Sequence, residues 1–149
     1  MKSVFGLDTH LDLYKKLEWE FTNLKGNPNN PYLAYNFFVT AWHLLEWKYP
    51  DPGGKKSREG IRNQNPLLQI CHHLAVGAKH FTISSPIHKS VLRAGKNSVW
   101  GRSWGNSWGN SWSSHLEVEL INDAQKLYGS RIAVVDLAQH VMDYWKNAI

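Results

Sequence analysis

Between Pro31 and Tyr49 the chain reads PYLAYNFFVTAWHLLEWKY, with Glu46 and Lys48 as its formal charges. Wound as a helix, this stretch places Leu33, Ala34, Phe37, Phe38, Ala41, Trp42, Leu44 and Leu45 over well over half of its circumference. Asn36, Thr40, His43 and Glu46 share the remaining strip, flanked by Tyr32, Val39 and Trp47. A helix so apolar belongs in an interior. An unpaired buried polar group costs about 1 to 3 kcal/mol, so the strip is expected to meet partners from elsewhere, as a hydrogen-bond network or as the wall of a site.

The neighbouring segments supply the packing for it. Asp8 to Leu24 has Leu13, Leu17, Phe21 and Leu24 at helical spacing, with Asp8 or Thr9 as cap, and ends at Gly26 and the Asn-Pro-Asn-Asn-Pro run. DPGGKKSREG after Pro50 reads as a polar, flexible connection. Asn65-Pro66 opens a third helix, because Asn caps and Pro suits the first helical position. Its apolar face carries Leu67, Ile70, Cys71, Leu74, Ala78 and Phe81. Opposite stand His72 with Lys79 and His73 with His80, each pair seven residues apart.

After Phe81 the pattern shortens. FTISSP, HKSVLRAG and HLEVELI are β-branched and broken by Pro or Gly, as in a small antiparallel sheet. RIAVV fits either a strand or an extra helical turn. DLAQHVMDYWKNAI then closes the chain as an amphipathic helix, with Asp136 as N-cap and Gln139 three residues on. The expected fold is a single α+β domain over residues 1–149. A three-helix bundle spans 1–81, a small sheet 82–121, and a C-terminal helix at 136–147 packs back on the core.

At 149 residues and 42% apolar content the chain suffices for one core. No apolar run reaches the roughly 18 residues of a membrane span, and MKSVFGLDTH has no apolar stretch of the kind a secretory signal carries. The single Cys71 excludes an internal disulfide and fits a reducing compartment. A cytoplasmic protein without membrane contact is expected.

Net charge is +5, unevenly placed. From Gly60 to Leu116 no acidic residue occurs, while Arg62, Lys79, Lys89, Arg93, Lys96 and Arg102 lie there with five of the eight histidines. A positive field over the middle of the chain favours nucleic acid, another polyanion or an acidic protein, unless folding scatters the charges. Inside this interval WGRSWGNSWGNSWSS repeats every four residues and sets Trp100, Trp104, Trp108 and Trp112 in register. In an extended path the four rings share one face about 13 Å apart, with Arg102, Asn106 and Asn110 between them. Such a strip resembles a platform on which unpaired bases stack at about 1 to 3 kcal/mol each, with Arg93, Lys96 and Arg102 holding phosphates. The same rings equally suit completion of a small core or a subunit interface.

The chemistry open to these residues is narrow. No two histidines stand three or four apart, so no helical metal-ligand pair exists, and no cofactor-binding glycine loop appears. Cys71 lies on an apolar face as an inert thiol. General acid and base work by histidine remains, with a lysine to stabilise charge. Asn36 and His43 facing His73 or His80, with Lys79 near the rim, form the candidate catalytic set, able to deprotonate a ribose 2′-hydroxyl without metal.

Two segments, NFFVTAWHLLEW and ICHHLAVGAKHF, together with the aromatic glycine-rich repeat and VVDLAQHVMDYW, resemble a group of small uncharacterised bacterial helical proteins. More loosely, a helical bundle with a His-ended helix is similar to the HEPN superfamily. That resemblance implies dimers, RNA binding or metal-independent RNA cleavage, and a setting in phage defence or toxin–antitoxin systems. The superfamily's Arg followed four to six residues later by His is absent, since Arg62 precedes His72 by ten. The expected function is RNA or single-stranded nucleic-acid binding, with HEPN-like ribonuclease activity as its enzymatic form. The alternative is a noncatalytic interaction module that uses the Trp repeat as an oligomer or partner interface.

Overall fold

The computed structural model describes residues 3, 5–80, 88–98 and 114–149. Trp100, Arg102, Trp104, Trp108 and Trp112, and the strand expected at FTISSP, lie outside the described residues. Four helices come first: α1 (His10–Gly26), α2 (Pro31–Lys48), α3 (Gly54–Gln64) and α4 (Pro66–Lys79). They are followed by β1 (Val91–Ser98), β2 (Ser114–Leu120), α5 (Asn122–Tyr128), β3 (Arg131–Ala133) and α6 (Val134–Ala148). The strands form one antiparallel sheet in the order β1-β2-β3. The architecture is the expected α+β one, with the C-terminal helix on the core.

Local chemistry sets the helix starts. Thr9 and Asp12 close a capping box on α1. Asn30 accepts from the Tyr32 and Leu33 amides, and Asn65 from those of Leu67 and Leu68, each followed by Pro at the first helical position. Leu17, Leu24, Phe37, Leu44, Leu68, Ile70, Leu137, Val141 and Trp145 then make one buried cluster from α1, α2, α4 and α6.

Four details differ from the expectation. First, α2 is sided rather than enclosed: Asn36 and His43 face solvent, and Thr40 alone of the strip's polar residues is buried. Thr40 Oγ1 accepts from Lys16 Nζ at 2.8 Å, and the same ammonium pairs with the buried Glu20 carboxylate, so the network lies in the α1–α2 seam. Second, the segment expected to be a flexible connection contains α3. It is held by the Arg58 guanidinium, which donates to the Tyr49 carbonyl and pairs with Asp51 at 2.9 Å, and by Ile61 against the core. Its start needs glycine twice: Gly53 sits at φ +98°, and a Cβ on Gly54 would collide with the Tyr49 carbonyl.

Third, α5 fills the gap between the last two strands and buries Ala124. Fourth, RIAVV is both strand and helix, because β3 runs directly into α6. Ala133 is therefore the N-cap, without a side-chain cap bond, in place of Asp136. Asp136 still falls in the first turn, where its charge complements the helix dipole, and Gln139 donates to Asp143 at 2.9 Å.

Candidate functional site

Among the described residues of the acid-free interval, α4 and the start of β1 meet α2 at a junction. Adjacent residues of a helix point about 100° apart, so His72 and His73 leave α4 in different directions. His72 packs on Trp42 of α2, ring centroids 4.3 Å apart. His73 turns toward the sheet, and its Nδ1 accepts from the Val91 amide at 3.4 Å, which leaves the proton of the neutral ring on Nε2. His88 lies between them, 4.9 Å from His72 and 5.0 Å from His73 by ring centroids.

Burial, reinforced by neighbouring positive charge, keeps this cluster neutral. His72 is pushed down to about 4, first by burial and then by the charges of Arg62, His88 and His73. His73 is pushed down to about 4 by burial and His88. His88 is lowered by burial and Arg62. At neutral pH the three rings are therefore proton acceptors and weak bases. Burial pushes the Cys71 thiol up to about 12, which leaves it inert. Among the described residues, no group of three or more His, Cys, Asp or Glu side chains is arranged to hold a metal ion.

Two hollows flank the junction on its outer side. One of about 500 Å³ runs between β1 and the α2–α4 pair, lined by Tyr35, Phe38, His73, Gly77 and Ala78 on the helices and by Val91 through Gly95 on the strand. The other, about 470 Å³, is built from the Gly26–Tyr32 turn and Lys96. They adjoin at Pro31, which lines both, and among the described residues neither has a carboxylate in its lining. Tyr32 and Tyr35 stand beside them 79% and 52% exposed, on a helix whose other large rings are mostly buried. Three positions apart, the two phenols are neighbours on one helix face.

No family model matches this chain, and no curated protein or solved structure matches it either.

The candidate catalytic set does not converge. Tyr35 donates to the Ala78 carbonyl at 3.0 Å while Trp42 meets His72, so α2 and α4 run antiparallel. His43 thus sits near the level of His72, and Lys79 lies seven residues, about 10 Å, further along. Asn36, His43, Lys79 and His80 are all exposed, and His43 is within 4.0 Å of Glu46 on its own helix. Of the expected phosphate contacts, Lys96 stands opposite Leu116, on the sheet face that carries Val118 and the core. Arg93, three residues earlier, stands opposite Glu119 on the other face. There Glu119 meets Arg131 at 3.1 Å and Glu117 meets His115 at 2.9 Å. Arg93 borders the groove along the strand edge.

Sequence reasoning missed Tyr32, Tyr35, Arg62 and His88 as site residues. Their only signal was membership of the apolar helix or of the acid-free interval, and neither fixes direction.

Proposed function

We propose that this protein binds single-stranded nucleic acid, RNA foremost, in the paired hollows beside β1. The observation that carries the reading is their lining, which combines exposed phenol rings and a lysine with no carboxylate. Tyr32 and Tyr35 would stack bases, and Lys96 would meet a phosphate between the strand and the Gly26–Tyr32 turn. The binding surface keeps Lys96 from the one expected from sequence and differs from it in using Tyr32 and Tyr35.

A labelled uridine oligomer, followed by fluorescence anisotropy, tests this. Affinity for the single strand should fall with salt at a slope of about −0.7 in log K per phosphate engaged. Tyr35→Ala should cost about 1 to 3 kcal/mol of binding, and Lys96→Glu should weaken binding while flattening the salt slope. Salt-independent binding, or none, refutes the reading. RNA cleavage is read in the same tubes. A ribonuclease built on His43 and His80 would lose product in His43→Ala and His80→Ala at unchanged melting temperature.

One observation favours a second reading. Five consecutive β1 residues line the larger hollow, and among the described residues β1 pairs on one side, with β2, so an extended peptide could add there by main-chain pairing. Such binding would respond weakly to salt.

A further inference from the structure

On the other side of the histidine cluster lies a third hollow, about 320 Å³, lined by Arg62, Asn63, Gln69, Lys89, Ser90, Asn122 and Asp123. Every residue in that lining is polar. Its walls are tied to one another: Asn122 Nδ2 donates to the Lys89 carbonyl at 2.8 Å, the Ile121 amide to Ser90 O at 3.0 Å, and Gln69 Nε2 to Asn63 O at 3.1 Å. Asn122 holds this geometry at φ +58°, a left-handed conformation that Asn tolerates better than most residues.

The charge in this hollow is not balanced. Arg58 and Arg131 each reach a carboxylate, but the half-buried Arg62 spends Nε and one terminal nitrogen on the neutral Asn63 Oδ1, at 3.2 and 3.1 Å. Its charge is close enough to His72 and His88 to disfavour their protonation. The carboxylate in the lining, Asp123, is largely exposed and lies 3.5 Å from Lys126. Among the described residues this partly desolvated guanidinium has an amide oxygen as its partner and no carboxylate, and it shares the polar hollow with Lys89.

We propose that this hollow is an oxyanion site for a phosphate group, with Arg62 and Lys89 as its cations and the Asn63, Gln69 and Asn122 amides as its frame. Its size suits a free phosphate or a small phosphomonoester, or the phosphorylated end of a strand. This proposal does not depend on nucleic-acid binding in the outer hollows.

The test compares thermal unfolding in inorganic phosphate and in chloride at equal ionic strength. Phosphate at ten times its dissociation constant should raise the melting temperature by about 4 °C. Arg62→Met and Lys89→Ala should remove that rise, and Asp123→Asn, which takes away a repelling charge, should enlarge it. Lys89 and Asp123 are exposed, so the opposed outcomes of their variants remain readable if Arg62→Met fails to fold. No rise in the wild type, or the same rise in all three variants, overturns the proposal. A uridine oligomer with a 5′-phosphate is then compared with its 5′-hydroxyl form. Several-fold tighter binding of the phosphorylated form, lost in Lys89→Ala, makes a strand end the source, whereas equal binding with the phosphate rise intact makes it a small ligand. Phosphate binding without oligomer binding would refute the outer-hollow reading and leave this one standing.

Discussion

Acidification should destabilise this protein through His72 and His73 in the range between pH 6.5 and pH 5. Both rings are held to about 4 in the folded chain, against 6.5 for an unperturbed histidine. A depressed folded value means that the unfolded chain binds more protons below pH 6.5. Stability is thus complete above that pH and falls as pH drops toward 4. From about pH 7.5 to about pH 5 the full shift would cost about 1.9 kcal/mol per ring; halving it for rings only half-buried leaves about 2 kcal/mol for the pair. The assay is the urea midpoint followed across that range in the wild type and in His72→Gln/His73→Gln. The double variant should show a flatter pH profile, and proton NMR should place both ring titrations well below 6. If both rings titrate above pH 6, or if the two proteins lose stability in parallel, the buried-cluster argument fails.

Further expectations follow from single contacts. Lys16→Met strands the buried Glu20 carboxylate and should cost about 2 kcal/mol, less than a fully buried pair because Lys16 is 39% exposed. Lys16→Met/Glu20→Leu should recover most of that loss in the same urea melts. Gly54→Ala forces a methyl onto the Tyr49 carbonyl and should cost about 1 to 3 kcal/mol, read as a drop in melting temperature. Asn30→Ala and Asn65→Ala each delete a cap with two amide partners, and should cost about 1 kcal/mol apiece, additively because they serve different helices.

Much of the helical scaffold was legible because its signals are local. Apolar spacing, Asn-Pro starts and the Gly-Asn-Pro breaks are properties of neighbouring residues, and they located α1, α2 and α4 closely. The shift of the α6 start has an equally local cause, since the backbone of β3 delivers the chain to the helix before Asp136 can act as cap. α3 escaped notice because its stability comes from Arg58 reaching back to Tyr49 and Asp51, while its own residues include two glycines and one apolar anchor. The site was legible only as a territory. A gap in carboxylates marked residues 60–116, but which of its cations and rings would share a surface depended on how α2 crosses α4 and on the register of β1.

The amino-acid sequence by itself determined the α+β class, the three principal helices and the separation of positive charge from carboxylates, because periodicity, capping and charge are written residue by residue. Tertiary structure alone decided that His43 faces water, that His72, His73 and His88 meet, and that Lys96 and Arg93 part to opposite faces of one strand. Those outcomes rest on packing between segments far apart in the chain, where a rotation of one helix or a shift of one residue in a strand redirects every side chain it carries.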